Sequence, residues 1–429
     1  KAGTLVVKHN AKDGLITGTT LGSATDSRTY DSFAELTGLT AKYKTTTLYT
    51  VKFTRDADGR ITGKTETIGG QENVFAYAYD AAGRLIGVTE NGTSISSYTY
   101  DTNSNRSMAT TSSGTVNGIY DAQDRLMTYG TASFTYTANG ELASQTVGSQ
   151  TTSYQYDVLG NLIAATLPNG TKITYIIDAR NYRVGKEVNA VLETGFLYDG
   201  SRIVAQLNGS NAIVSQFIYA TGAATPDYML SGSVTYRIFS DQLGSPRLVV
   251  NTATGAVSEQ INYDEFGNVI SDTNPGFQPF GFAGGLYDQD TKLVRFGARD
   301  YNPGIGRWTA KDPILFAGGD TNLYGYVLDD PINWTDPSGK GLAEWFWSTL
   351  ISLGFDVGPP ATHGQPPDPP VVIDPIPPPD ALPGLGPAEQ IALDPKNAPD
   401  ICQGIRALFF GGGVNLDRAN AVSNGTYHQ

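Results

Sequence analysis

The sequence predicts an all-β protein in which stacked hairpins build one large, curled, spiral β-sheet. Three observations lead there. A short phrase recurs ten times: an aromatic residue, most often Asp next, two variable residues, a turn-making residue, then often Arg or Asn and an aliphatic. Clear copies are Tyr79-Asp80-Ala81-Ala82-Gly83-Arg84-Leu85 and Tyr156-Asp157-Val158-Leu159-Gly160-Asn161-Leu162. Residues between the copies alternate, as in Phe75-Ala76-Tyr77-Ala78-Tyr79 and Ser97-Tyr98-Thr99-Tyr100, which is the period of a half-buried strand. The copies recur at a spacing near 21: their turn-making residues fall at 34, 59, 83, 104, 124, 140, 160, 181, 244 and 267. A repeat of this kind fixes an architecture before any motif does.

Each part of the phrase has a physical reason. Asp opens a type I turn, because its carboxylate can accept from the backbone N–H two residues on. Gly at the fourth position takes positive φ and leads into a bulge. It is Gly in six copies (59, 83, 140, 160, 244 and 267), while Asp124 and Asn181 also tolerate that region. Ala34 and Ser104 fit it poorly. The gap between 181 and 244 is expected to hide degenerate copies, since Tyr198-Asp199-Gly200 lies inside it. A period near 21 accommodates two strands of about seven residues and two turns, each strand roughly 25 Å long. Such a hairpin cannot bury its own apolar face. Edge-to-edge stacking can, and a sheet that long must twist and curl.

Composition narrows the partners. The chain has 429 residues, with 42 acidic against 29 basic side chains and a net charge of −13. That balance argues against nucleic acid or an anionic membrane surface. Cys402 is the one cysteine, so no intramolecular disulfide can form. No apolar run reaches the length of a membrane-spanning helix. Abundant Thr, Ser, Asn and Gly with little Lys suits a secreted or surface β protein. The chain starts at Lys1 and already reads as mid-repeat (Gly14-Leu15-Ile16-Thr17-Gly18), so further repeats are expected to precede it.

Composition divides the chain into three. Residues 1–275 are repeats. Residues 276–341 are dense and non-repeating, rich in Gly, Pro, Arg and Asp. Residues 342–429 form a variable tail. Its first part, 342–355, is strongly apolar and is expected to form a short helix that buries Trp345, Leu350 and Leu353 against something else. Residues 356–387 are Pro-rich, which favours an extended linker or strap. A second short helix is expected from about Asp400 to Leu408.

The 276–341 block carries the most specific series. Phe282-Ala283-Gly284-Gly285-Leu286-Tyr287-Asp288 is followed by Phe296-Gly297-Ala298-Arg299-Asp300-Tyr301-Asn302-Pro303, then Gly306-Arg307-Trp308, Lys311-Asp312-Pro313, Asn322-Leu323-Tyr324-Gly325-Tyr326, and Asp336-Pro337-Ser338-Gly339. This order resembles the repeat-associated core domain that closes the YD-repeat shell of bacterial Rhs proteins. The C component of insecticidal Tc toxins, wall-associated YD proteins and animal teneurins are similar, with different roles. The resemblance implies a hollow cocoon that holds a C-terminal segment, released inside by self-cleavage at an aspartyl-protease-like site. It places that site at Arg299, Asp300 and Asp312. Two carboxyls sharing a proton would supply a base on water and an acid. Like charges about 4 Å apart repel by roughly 4 kcal/mol at an effective dielectric near 20, about three pKa units. The competing reading is that Asp before Pro caps a turn and the neighbouring Arg braces a loop.

Cleavage in the family follows the Asp-Pro-x-Gly-Leu end of the block. Here Asp336, Pro337 and Gly339 are followed by Lys340, so the Lys340–Gly341 bond is expected to be intact or poorly cut. No cofactor or metal is expected. His9, His363 and His428 are scattered, and one Asp per turn is too few oxygens for Ca²⁺. Carbohydrate binding along the tyrosine stripes is a weaker reading than sheet packing. The expected partners are the missing N-terminal repeats or other subunits, and secretion machinery. The expected function is a secreted or cell-surface bacterial shell, not a turnover enzyme, that encapsulates or presents its C-terminal segment in toxin delivery. The alternative is an extracellular structural or adhesive scaffold, or a filament subunit assembled through the tail.

Overall fold

A computed structural model describes residues 3–341. The expectations for residues 342–429, including the apolar stretch, the Pro-rich segment and the second helix, lie outside the described residues. The rest is all-β: a 26-stranded sheet and a small four-stranded one. In the large sheet every strand from Leu5–His9 to Val269–Asp272 pairs antiparallel with its neighbours in sequence. The stretch between 181 and 244 contains further hairpins. A degenerate copy in it opens at Asn208, whose Oδ1 accepts from the N–H of Ser210 and Ala212 (3.0 Å each), with Asn211 at φ 59°. Tyr198-Asp199-Gly200 is instead part of a two-residue turn between paired Asp199 and Arg202.

The repeated phrase builds the turns of this meander. Asp80 Oδ1 accepts from the backbone N–H of Ala82 (2.9 Å) and Arg84 (3.0 Å), and Gly83 sits at φ +86°. Eight further copies, opening at Asp31, Asp56, Asp101, Asp121, Asp157, Asp178, Asp241 and Asp264, repeat both backbone contacts. A bulge follows at the aromatic residue, between Ala78 and Tyr79 for example. All ten fourth positions have positive φ, Ala34 (65°) and Ser104 (60°) included, so the turn overrides the preference of those two side chains. At Asp124 and Asn181 the non-glycine residue has its own use: each side chain accepts a hydrogen bond from the asparagine of the preceding turn, Asn105 (2.7 Å) or Asn161 (3.0 Å).

The aromatic residue is usually tyrosine for a reason that alternation alone does not supply. Its hydroxyl reaches back one repeat to a backbone carbonyl near the start of the earlier strand: Tyr79 to Ile61 (2.7 Å), Tyr100 to Leu85 (2.7 Å), Tyr120 to Arg106 (2.9 Å), Tyr198 to Arg183 (2.9 Å). Arginines of one turn lie over the next ring, as Arg60 does over Tyr79 and Arg84 over Tyr100. The aliphatic residue that ends the phrase is fully buried at Leu85, Leu126, Leu142 and Leu162.

Among the described residues no backbone pairing joins the first strand to the last, so the sheet is not closed as a barrel. Side chains bring distant repeats together instead. Arg247 meets Glu66 at 2.5 Å and Arg237 meets Asp26 at 2.9 Å, all four buried. Tyr43 donates to the carbonyl of Ala253 at 2.5 Å. The curled sheet is thus held by a seam of buried ion pairs.

Candidate functional site

After the large sheet ends at Asp272, the chain forms the four-stranded sheet Leu286–Tyr287, Val294–Phe296, Arg299–Asn302 and Arg307–Trp308. Its aromatic centre packs Phe282, Phe296, Tyr301, Trp308 and Tyr326 together. Polar side chains dock this block on the row of Asp turns. Arg307 donates to Asn105 Oδ1 (2.8 Å), Arg295 to Asn161 Oδ1 (2.7 Å) and Tyr324 to the carbonyl of Gly140 (2.7 Å). Asn333 accepts from the N–H of Ile61 (2.8 Å), and Tyr175 donates to Asp288 (2.8 Å). The asparagines that replace arginine in the phrase at 105 and 161 are therefore the docking points for the block's own arginines.

Within the block, Arg299 is the hub. It is 3% exposed, lies over Trp308, and its Nη2 contacts Asp312 Oδ2 (2.8 Å) and Asp336 Oδ2 (3.2 Å). Its Nε donates to the carbonyl of Gly339 (2.6 Å). Burial pulls the guanidinium below its ordinary pKa, against the two carboxylates, which raise it. Asp336 also gathers the residues that follow it: its Oδ1 accepts from Ser338 Oγ (2.9 Å) and the N–H of Lys340 (3.3 Å), and its Oδ2 from the N–H of Gly341 (2.7 Å). The Lys340–Gly341 bond, singled out from the sequence, thus lies beside a carboxylate.

Asp300 does not join this group. Successive residues of a strand point to opposite faces, so Arg299 and Asp300 diverge. Asp300 is bound instead by Arg183 (2.8 Å) and Arg295 (3.0 Å), all three buried. The trio expected from the motif is divided: Arg299 and Asp312 are together, and the second carboxylate is Asp336. Sequence reasoning noted Asp336 only as the end of the motif. Gly318 was missed altogether, although a Cβ there would collide with Asp312 and approach the carbonyl of Lys340. The adjacent glycines 318 and 319 were the available sign of a close backbone approach.

A cavity of about 40 Å³ adjoins the site, bordered by Arg299, Asp312, Asp320, Asp336 and Gly341. It has room for a water or two. Burial pushes the Asp320 carboxyl above its ordinary value. Chemically, one carboxylate faces the nitrogen of Lys340–Gly341 and another borders a space for water. Between them stands the Arg299 guanidinium, in contact with both. Among the described residues no cluster of metal-ligating side chains forms, and no helix is long and apolar enough to cross a membrane.

A family model, Teneurin YD-shell, matches residues 1–332. Mouse Teneurin-4 is 28% identical over 349 residues, covering 78% of this chain and 12% of Teneurin-4. The tRNA3(Ser)-specific nuclease WapA of Bacillus spizizenii is 26% identical over 291 residues, covering 65% of this chain and 12% of WapA. Among solved structures, a crystal structure of TcdB2-TccC3-TEV aligns with a TM-score of 0.48 at 16% identity, over 78% of this chain and 21% of that one. The chain therefore spans about an eighth of the curated relatives it matches. The repeat turns, the meander they build and the family match over most of the chain agree: this chain belongs to the teneurin YD-shell family.

Proposed function

We propose that the shell houses the segment that follows residue 341, as part of a secreted or cell-surface protein of a bacterial toxin-delivery system. The supporting observation is the closing block, whose polar side chains Asn333, Arg307, Tyr324, Arg295 and Asp300 span the turn row from Ile61 to Arg183 while its last residues run past a buried Arg299. On this reading residues 1–275 are the shell, 276–341 the closure and 342–429 the cargo, with other subunits or further repeats as partners. A nuclease is among the relatives, which suits delivery of a C-terminal effector.

The closure holds the Lys340–Gly341 bond rather than cutting it. Proton sharing needs two carboxyls in direct contact, whereas here Arg299 takes one oxygen of each. With Lys340 at the position that the family fills with an apolar residue, the bond to Gly341 stays whole. Intact-mass measurement of the purified chain is expected to give a single species, and a fragment ending at Lys340 would contradict this. Housing is tested by limited proteolysis of the full chain carrying a C-terminal epitope. The epitope should survive protease under native conditions and disappear once the shell is unfolded. Loss at the rate of an unstructured control would favour the scaffold or filament reading instead.

A further inference from the structure

The closing block leaves an apolar lip beside Gly341. Leu315 is 49% exposed, Phe316 63% and Leu328 46%, although the aromatic centre of the same block is almost fully buried. Leu315 and Leu328 border the cavity that Gly341 also borders. Gly341 packs against Gly318, in the same 3-10 turn as Leu315 and Phe316, so closely that a side chain would not fit. Leu315 (φ 53°) and Leu328 (φ 57°) are both held in the left-handed region, a costly conformation for leucine that the surroundings must impose. Exposed apolar side chains clustered in strained turns mark a contact surface.

We propose that this lip seats residues 342–355 of the same chain. The segment begins at the next residue and reads Leu342-Ala343-Glu344-Trp345-Phe346-Trp347, with Leu350, Ile351 and Leu353 beyond. Each residue extends the chain by at most about 3.5 Å, so Trp345 lies within roughly 14 Å of Gly341. Tethering that short gives the segment an advantage over any free partner, including a second copy. The seat is independent of whether later residues are enclosed: it fixes only how the chain leaves the block.

A photo-cross-linking residue at Phe316 in the full chain, at low concentration, is expected to capture residues 342–355 of the same molecule, mapped by mass spectrometry. Cross-links to another copy alone, or none to this segment, would overturn the proposal. As a second reading, the double variant Leu315→Ser/Phe316→Ser should shift the tryptophan emission to longer wavelength, because Trp345 and Trp347 lose their apolar seat, with the unfolding midpoint of the shell unchanged. An unchanged emission would overturn it. Because this readout needs no protease access, it is independent of epitope protection.

Discussion

Replacing Arg299 by Leu is expected to destabilise the closing block by about 3–5 kcal/mol, because two buried carboxylates lose the cation between them. Asp312 and Asp336 both contact Nη2, so their oxygens are close, and neither side chain is more than 7% exposed. Arg299→Lys, which keeps a cation beside both carboxylates, should lose less than Arg299→Leu. Chemical unfolding followed by tryptophan fluorescence checks both points, since Trp308 stacks on Arg299. Equal losses in the two variants would mean that Arg299 acts through packing alone.

Arg247→Met is expected to weaken the seam of the curled sheet by a similar amount, about 3–5 kcal/mol. Arg247 donates to both oxygens of Glu66, to Asn262 and to the carbonyl of Ile261, so it ties an early strand to two late residues. Its removal leaves Glu66 with Tyr49 and a lysine 3.9 Å away. The companion change Glu66→Gln should recover part of the loss, because the uncompensated charge goes with it. Hydrogen exchange should rise first in the strands Ile61–Ile68 and Pro246–Asn251, which hold the two partners. No recovery in the double variant would mean that the pair is not the element that holds the seam.

Most of the shell was legible from the sequence, because its information is local. Asp80, Gly83 and the alternating residues around them specify a turn, a bulge and a strand without reference to anything distant. The same locality explains Ala34 and Ser104: as single side chains they argue against the turn, yet the paired strands on either side outvote them. What was not legible depends on contacts between residues far apart in the chain. No spacing announces that Arg307 meets Asn105 or that Arg247 meets Glu66. The candidate site shows the same division: Arg299 and Asp312 meet as expected, while Asp300 lies elsewhere. Arg299 and Asp300 are adjacent in a strand, and strand alternation already forbids them a common face. That argument was available from the sequence. Asp336 then takes the second place because residues 336–341 fold back beneath Arg299, a path that no local pattern encodes.

Imaging the purified full chain by electron cryomicroscopy tests the central claim most directly. The account predicts discrete curled particles, closed at one end by the block at 276–341, with additional density inside them for the residues after 341. Filaments, or particles with empty interiors and the C-terminal residues lying between neighbouring copies, would contradict it.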